Sequence, residues 1–266
     1  MTILPMELAD TAGLAVLQPE GWGDIVEPFR YNVASPLCQP LKAVIDGAIA
    51  GVGTSILNGS TAWLAQIIVH PQYRGRGIGT AITKALIDGL DNSIYKTILL
   101  DATDAGYAVY CKLGFKVIAE HYHFTGTRYN GPLHRPDAVL PLVPAYREDV
   151  LALDSLASGE DRSAILLEHM AASVLYMADG RVAGAYFPGL HKGLVIAHDA
   201  RAGIELMKLR LMEKDSCMVP SGNSAVSTFL QSIGYTLVST SRRMSLGADI
   251  NWRPDMIYNV TGGARG

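Results

Sequence analysis

The pattern of apolar and polar residues is most informative between positions 63 and 90. Residues 63–69 form an apolar, β-prone run, and Pro71 has no N–H group for a strand ladder, so the strand is predicted to stop at His70. From Thr80 to about Leu90, apolar residues recur at the spacing of one helical face. The pattern therefore predicts a strand, a glycine-containing loop and a helix, in that order.

Further strands and helices are predicted on both sides of this segment. Asp46-Gly47 and Asn58-Gly59 are hairpin turn signals between apolar runs, and Gly114 stands where a helix is expected to end. These signals indicate antiparallel strands before residue 63 and a strand, a helix and a strand after residue 90. The predicted strands are 41–49, 51–57, 96–101 and 115–121, and the predicted helix is 104–113.

The first 35 residues carry a weaker pattern. Asp24 is expected to cap a helix, and Pro28 is expected to interrupt it. Trp22 is expected to anchor the core, because a large aromatic side chain buries much apolar surface.

The second half of the chain repeats the order of elements found in the first half, which makes an internal duplication plausible. The composition between 126 and 137 indicates a linker, so the predicted domains are 1–127 and 137–266. The repeated elements are a hairpin around Asp179-Gly180, a strand at 193–197 and helices at 200–213 and 223–234.

Composition and charge exclude several classes of protein. With 49% hydrophobic and 18% charged residues, the 266-residue chain has the balance of a globular protein, and its net charge of −3 gives no basic footprint for nucleic acid. The three cysteines, Cys38, Cys111 and Cys217, lack C-x-x-C spacing, so no disulfide framework and no zinc site is expected. No apolar run has membrane-spanning length and no leader pattern is present, so a cytoplasmic protein without a membrane partner is expected.

The loop between residues 69 and 80 has the chemistry of a phosphate site. Gly75, Gly77 and Gly79 let the backbone turn tightly and approach a ligand closely. The N–H groups of the loop and of the first helical turn can donate to an anion at the positive end of the helix dipole. Arg74 and Arg76 add positive charge, which favours a pyrophosphate.

Spacing narrows the choice of phosphate ligand. A dinucleotide fingerprint requires a glycine at position 80, which is Thr80, and the Gly-Lys-Ser/Thr of a Walker A loop is absent. The remaining pattern, Arg74-x-x-Gly77-x-Gly79 between a strand and a helix, resembles the coenzyme A pyrophosphate loop of the GNAT superfamily of N-acetyltransferases. The segment from Tyr110 to Phe115 is similar to that family's Tyr-x-x-x-Gly-Phe element, which lies against the coenzyme A thiol.

The resemblance implies a fold and a division of labour. The expected fold class is α/β (α+β), with two GNAT-like domains in tandem, each a mixed, mostly antiparallel sheet flanked by helices. The N-terminal domain would bind acetyl-CoA, and the C-terminal domain would be a degenerate copy that caps the substrate, because Phe229 and Leu230 stand near the counterpart of Tyr110. The implied coenzyme A contacts are Ile67, Val69, Arg74, Gly75, Arg76, Gly77, Ile78, Gly79, Thr80 and Thr103.

Two positions depart from the family pattern. Thr103 stands where many members have an Asn that bonds the pantetheine arm. Trp63 stands where some members have a Glu that acts as the general base. Asp154 and Arg162 match what is expected of the tandem branch, although helix capping and a surface ion pair would also explain them.

The implied reaction needs an oxyanion donor, a thiolate partner and a base. The N–H group of Val69 would stabilise the oxyanion, and the hydroxyl of Tyr110 would meet the departing thiolate. An alkyl amine with a pKa near ~10.4 costs roughly 4.6 kcal/mol to deprotonate at pH 7, so a base is useful. Asp101 is the tentative base, and its alternative role is loop capping.

Three other side chains were weighed for the reaction. His121 and His123 are further candidates for the base, and a half-exposed strand face explains them equally. Cys111, beside the tyrosine, is more commonly a buried small hydrophobe than a nucleophile.

The predicted function is transfer of an acetyl group from acetyl-CoA to a primary amine of a small molecule, by direct attack in a ternary complex. Acetylation of a protein or peptide amine, and a non-catalytic acyl-CoA sensor, are the alternatives. No metal and no nucleic acid are expected to take part. The acceptor, and the choice between monomer and homodimer, stay open.

Overall fold

The computed structural model describes residues 1–263 and divides into two compact units. Unit 1 comprises Met1–Leu100, Ala105–Lys116 and Ser245–Ala248, and unit 2 comprises Asp101–Asp104, Val117–Met244 and the described residues from Asp249. The predicted domain boundaries, 1–127 and 137–266, stay a prediction.

Unit 1 is built on strands in the order β1-β2-β3-β4-β5. The first four strands pair antiparallel, and β5 pairs with β4 in parallel, as the hairpin signals and the helix between β4 and β5 predict. The strands are β1 Thr2–Pro5, β2 Cys38–Ile45, β3 Ala48–Asn58, β4 Thr61–Val69 and β5 Thr97–Ala102, and the helices are α1 Val26–Ala34, α2 Ile78–Asp88 and α3 Asp104–Lys112.

Helices cover both faces of this sheet. A 3-10 helix at Leu8–Leu17 and α1 pack their apolar side chains against Val52 and Ile68. On the other face α2 lies very close to β3, because a Cβ at Gly53 would come within 2.8 Å of Ile82 Cγ2. The alternation of residues along β3 thus directs one set to each layer.

A bulge in β4 separates it from β5. The register with β3 shifts after Val52, and Gln66 on β4 has a φ of +52°, a value that non-glycine residues rarely adopt. Pairing with β5 reaches only as far as Trp63 and Leu99. Beyond that pair, β4 continues to Val69 without a β5 partner among the described residues.

Unit 2 contains two groups of neighbouring strands, β12-β6-β11 and β13-β10-β9-β8-β7, where the second group pairs antiparallel throughout. Its largest core lies around α6 and α7 and includes Leu206, Leu211, Val226 and Leu230. The strands are β6 Lys116–Thr125, β7 Val139–Pro141, β8 Val174–Ala178, β9 Arg181–Phe187, β10 Leu194–Ala197, β11 Ser216–Pro220, β12 Thr236–Gly247 and β13 Ile257–Asn259, and the helices are α4 Arg147–Ser158, α5 Ser163–Glu168, α6 Ala200–Glu213 and α7 Ser224–Ser232.

The predicted fold class, α/β (α+β) with mixed, mostly antiparallel sheets flanked by helices, is confirmed. Two local predictions are wrong. Trp22 is 46% exposed and is not in the core. Pro28 does not interrupt α1, because it lies in the first turn, where its missing N–H group has no helical partner to lose. Among the described residues, no helix combines the length and apolarity needed to cross a membrane.

Candidate active site

The loop before α2 leaves the start of the helix uncovered. Gly75 and Gly77 both have a φ of +77°, so each occupies a conformation that strains any other residue. A Cβ added at either glycine would meet nothing within 4 Å. Gly77 is the N-cap, and no side chain among the described residues caps the helix. The first N–H groups of α2 are therefore available to an anion, at the positive end of the helix dipole.

Two arginines bring positive charge to this loop. The Arg74 Nε donates to the Val69 carbonyl at 3.3 Å, which ties the loop to the end of β4. The Arg76 guanidinium lies 5.3 Å from the centroid of the Tyr73 ring. Both arginines are exposed, so they can meet phosphate oxygens. Gly79 differs from the other two glycines, because its φ is not positive and its absent Cβ would make an ordinary contact 3.6 Å from Val69.

The remaining predicted coenzyme A contacts follow β4 and the helix starts. Ile67 and Val69 are half-buried and lie on β4 after the bulge, where β5 no longer pairs with it. The buried Asn32 donates its amide to Gln66 Oε1 at 2.7 Å and holds the bulge. Thr80 is half-buried in the first turn of α2, Ile78 is in the core, and Thr103 is exposed between β5 and α3.

Tyr110 lies on α3 with its ring against an earlier turn of the same helix. A Cβ at Gly106 would come within 2.6 Å of the ring, and Phe115 makes an edge contact with it at 6.0 Å between centroids. The Tyr110 hydroxyl makes no hydrogen bond to any residue within 1–263. Burial raises the pKa of Tyr110 to about 12, so its hydroxyl is a neutral donor at physiological pH.

Asp101 lies at the centre of a hydrogen-bonded cluster in unit 2. Its Oδ1 is 3.1 Å from His121 Nδ1, and its Oδ2 accepts from the Ser241 hydroxyl at 2.6 Å. Ser241 Oγ is in turn 2.8 Å from His123 Nε2. The cluster therefore joins all three residues considered as the base, together with Ser241, which sequence reasoning missed.

The cluster sets the charge of its members. Burial by itself would raise the pKa of Asp101, but hydrogen bonds from His121 and Ser241 and the charges of the histidines outweigh it and hold that pKa low. The pKa of His123 is lowered, first by burial and then by Lys192 and His121, against the opposing effect of Asp101. His121 is fully buried, so its assignment to a half-exposed strand face is wrong. Cys111 is exposed, contrary to the expectation that it is buried.

The corresponding parts of unit 2 are filled by the chain itself. Asp199 caps α6 by accepting the Ala202 N–H at 2.9 Å, so a carboxylate already occupies the start of that helix. A Cβ at Gly203 would lie 2.3 Å from the Tyr258 ring, which therefore covers the first turn.

The space between β10 and β11 in unit 2 is also occupied. Strand β13 pairs with β10, and the Val260 N–H that follows it donates to the Met218 carbonyl of β11 at 2.9 Å. Asn259 Oδ1 accepts from the Met218 N–H at 3.0 Å. Unit 2 therefore has no open counterpart of the loop before α2, and the sequence pattern that predicted a degenerate copy did not show what fills it.

Unit 2 also contains buried charge that sequence reasoning misjudged. Arg162 contacts Asp154 through two bonds, of 2.5 and 3.1 Å, with side chains only 3% and 1% exposed, so the interpretation as a surface ion pair is wrong. Arg243 stacks on Trp252 at 4.1 Å from the ring centroid, beside Glu160. The described residues contain no group of three or more His, Cys, Asp or Glu side chains suited to a metal ion.

Comparisons with known proteins agree with this geometry. Residues 18–130 match the acetyltransferase (GNAT) domain family. Over its whole length the chain is similar in fold to an acetyltransferase candidate from Pyrococcus horikoshii, with a TM-score of 0.84, 21% identity and 95% of that chain covered.

Two further solved structures share this fold. A tandem GNAT protein of the clavulanic acid biosynthesis pathway matches with a TM-score of 0.61 and 14% identity, over 92% of this chain and 98% of that one. A GCN5-related N-acetyltransferase from Sphaerobacter thermophilus matches with a TM-score of 0.64 and 13% identity, over 95% of this chain and 98% of that one. These likenesses extend over both halves of the chain and describe its fold.

Proposed function

Residues 18–130 make this chain a member of the GNAT acetyltransferases, which transfer acyl groups from acetyl-CoA, and we propose that it acetylates a primary amine of a small molecule. The observation that carries the proposal is the uncapped start of α2 behind Gly77. Backbone N–H groups, a helix dipole and two exposed arginines meet there, which suits the pyrophosphate of coenzyme A.

The pantetheine arm needs an extended slot beside the pyrophosphate site. The edge of β4 beyond Trp63 supports this assignment, because β5 does not pair with it and Ile67 and Val69 follow along it. An arm laid there would gain strand-like hydrogen bonds, as extended peptides do at open sheet edges. We assign coenzyme A binding to the residues predicted for it, Ile67, Val69, Arg74, Gly75, Arg76, Gly77, Ile78, Gly79, Thr80 and Thr103.

The proposed reaction is a direct attack on the thioester. The amine nitrogen bonds to the carbonyl carbon and loses a proton to a base, while the carbon–sulfur bond breaks and coenzyme A leaves as a thiolate. Tyr110, with a pKa of about 12, lies well above the ~8.5 of a thiol. Its hydroxyl therefore stabilises the thiolate by a hydrogen bond more than it protonates it.

The experiment is a thiol-release assay with acetyl-CoA and a panel of primary amines, run with the wild type and with Tyr110→Phe. We expect turnover with at least one small amine. The variant should bind coenzyme A normally and turn over about 10²-fold more slowly. Acetylation of peptide or protein amines alone would overturn the small-molecule assignment, and coenzyme A binding without turnover on any amine would support the sensor.

A further inference from the structure

Proton positions in the Asp101 cluster can be worked out from its hydrogen bonds. The low pKa of Asp101 keeps its carboxylate ionised, so both of its oxygens accept, one from His121 and the other from the Ser241 hydroxyl at 2.6 Å. Because the hydroxyl has only one proton, Ser241 Oγ must accept in its contact with His123, 2.8 Å away. The donor is then the Nε2–H of His123.

This arrangement selects one tautomer of a neutral imidazole. With its proton on Nε2, His123 has its lone pair on Nδ1. Nδ1 makes no hydrogen bond to a residue in the described part of the chain, and the side chain is only half-buried. His123 thus presents a free, accessible proton acceptor whose orientation is set by Ser241.

We infer that His123 is the general base of the proposed reaction, and that Ser241 and Asp101 are positioning residues that hold its Nδ1 lone pair ready. The inference rests on the proposed function. As the new carbon–nitrogen bond forms and the thiolate departs, Nδ1 takes the proton of the amine, and the resulting imidazolium returns it to water. No other reactant is needed for the balance.

Asp101 itself is the poorer base. Its side chain is only 4% exposed and both of its oxygens already accept hydrogen bonds. A carboxylate with a low pKa also takes protons weakly, whereas a base works best when its pKa lies near the working pH. Asp101 acts better as the anion that orients Ser241, in the way a buried carboxylate fixes a histidine tautomer in hydrolase triads.

The groups that face His123 come from four elements. They are Asp101 on β5, His121 on the same strand β6, Ser241 on β12, and Lys192 in the loop between β9 and β10. Burial lowers the pKa of His123 most, Asp101 raises it, and Lys192 and His121 lower it further. The imidazole is therefore neutral at pH 7, the form that a base requires.

The first test reads the tautomer directly, without turnover. Nitrogen-15 NMR of histidine-labelled protein should show His123 with a proton on Nε2 and a lone pair on Nδ1 at pH 7, its signals identified by their loss in His123→Gln. A proton on Nδ1 in the wild type would overturn the inference. Asp101→Asn should flip the tautomer, because its amide can donate to Ser241 and turn the hydroxyl proton toward Nε2.

The second test is kinetic. For the wild type, kcat/KM should fall on the acid side with a midpoint below the ordinary histidine value of about 6.5. His123→Gln, whose amide can still donate to Ser241, should lose about 10²-fold in kcat/KM and lack this acid limb. His198→Ala, at an exposed histidine of unit 2, is the control and should match the wild type.

Serine variants separate positioning from folding. Ser241→Ala should lower kcat about tenfold while leaving the unfolding transition in place, and Ser239→Ala, at an exposed serine of β12, should change neither. An unchanged acid limb in His123→Gln would overturn the base assignment alone. A wild type that releases no thiol with any amine would overturn the proposed function itself, whatever the NMR tautomer.

Discussion

Gly106 lies directly beneath the ring of Tyr110, one helical turn away: a Cβ at position 106 would stand 2.6 Å from Cε2 and 3.1 Å from the hydroxyl oxygen of Tyr110. Helical residues four apart share a face, so the smaller residue decides where the larger side chain rests. The phenol proposed to meet the coenzyme A sulfur is thus placed by a glycine.

Gly106→Ala should displace that phenol without unfolding unit 1. The methyl group cannot fit at 2.6 Å, so the ring has to turn away, while alanine suits a helix better than glycine does. We expect kcat to fall about tenfold, because small displacements of catalytic groups are costly. Ala108→Ser, at an exposed position of α3, should keep the wild-type rate. Equal rates for both variants would contradict the placement of Tyr110.

Gly77→Ala should weaken coenzyme A binding and lower the free energy of unfolding by about 1 kcal/mol, because its φ of +77° strains a side chain. Gly23→Ala, where the φ is ordinary and the space is open, should change neither quantity. Calorimetric titration with coenzyme A and urea unfolding provide the two measurements. A tolerated alanine at position 77 would remove the argument for a glycine-built anion site.

The sequence predicted what depends on neighbouring residues. The strand, the loop glycines and α2 are local, so periodicity and turn chemistry were sufficient for them. Ser241 reaches Asp101 across 140 positions, and no pattern around either residue indicates the other. The bulge at Gln66 escaped prediction for the same reason, since its partner is Asn32, 34 positions away.

Alkaline pH should destabilise the chain through buried tyrosines. Burial raises the pKa of both Tyr186 and Tyr258 to about 12, above the ~10 of an unfolded tyrosine. Their contribution is fully present below pH ~10 and is lost as the pH rises toward 12, because the unfolded chain ionises first. Urea unfolding at several pH values should show the loss.

Replacement of one phenol tests the cause of this alkaline loss. Tyr186→Phe removes a hydroxyl that has no hydrogen-bond partner in the described residues, so it should cost little at pH 8 and reduce the loss above pH 10. Tyr95→Phe, at a more exposed tyrosine, is the matched removal of a phenol. An identical alkaline profile for Tyr186→Phe and the wild type would exclude Tyr186 as a contributor.

Asp154→Asn should lower the free energy of unfolding by about 3–5 kcal/mol, because it leaves the charge of Arg162 buried without its carboxylate. Asp255→Asn breaks a pair of similar length, 2.8 Å, whose side chains are 50% and 56% exposed. That change should cost less than about 1 kcal/mol. Denaturant unfolding of the two variants side by side would show whether burial, and not pairing as such, sets the difference.

Calorimetric titration should find one coenzyme A bound per chain. Unit 1 has an uncapped helix start, whereas in unit 2 Asp199 caps α6 and Tyr258 covers Gly203. The isotherm of Gly77→Ala should therefore weaken as a whole, with no tight component left. Two equivalent sites per chain would contradict the assignment of unit 2 as a degenerate copy.

Strand β13 has a consequence for biosynthesis. Its Asn259 donates to the Gly193 carbonyl, 66 positions earlier, and lies between strands made long before it. Until residues 257–260 have left the ribosome, the apolar edges of β10 and β11 have nothing between them, so unit 2 completes its interior only at the very end of translation. The nascent protein therefore depends most on chaperones just before release.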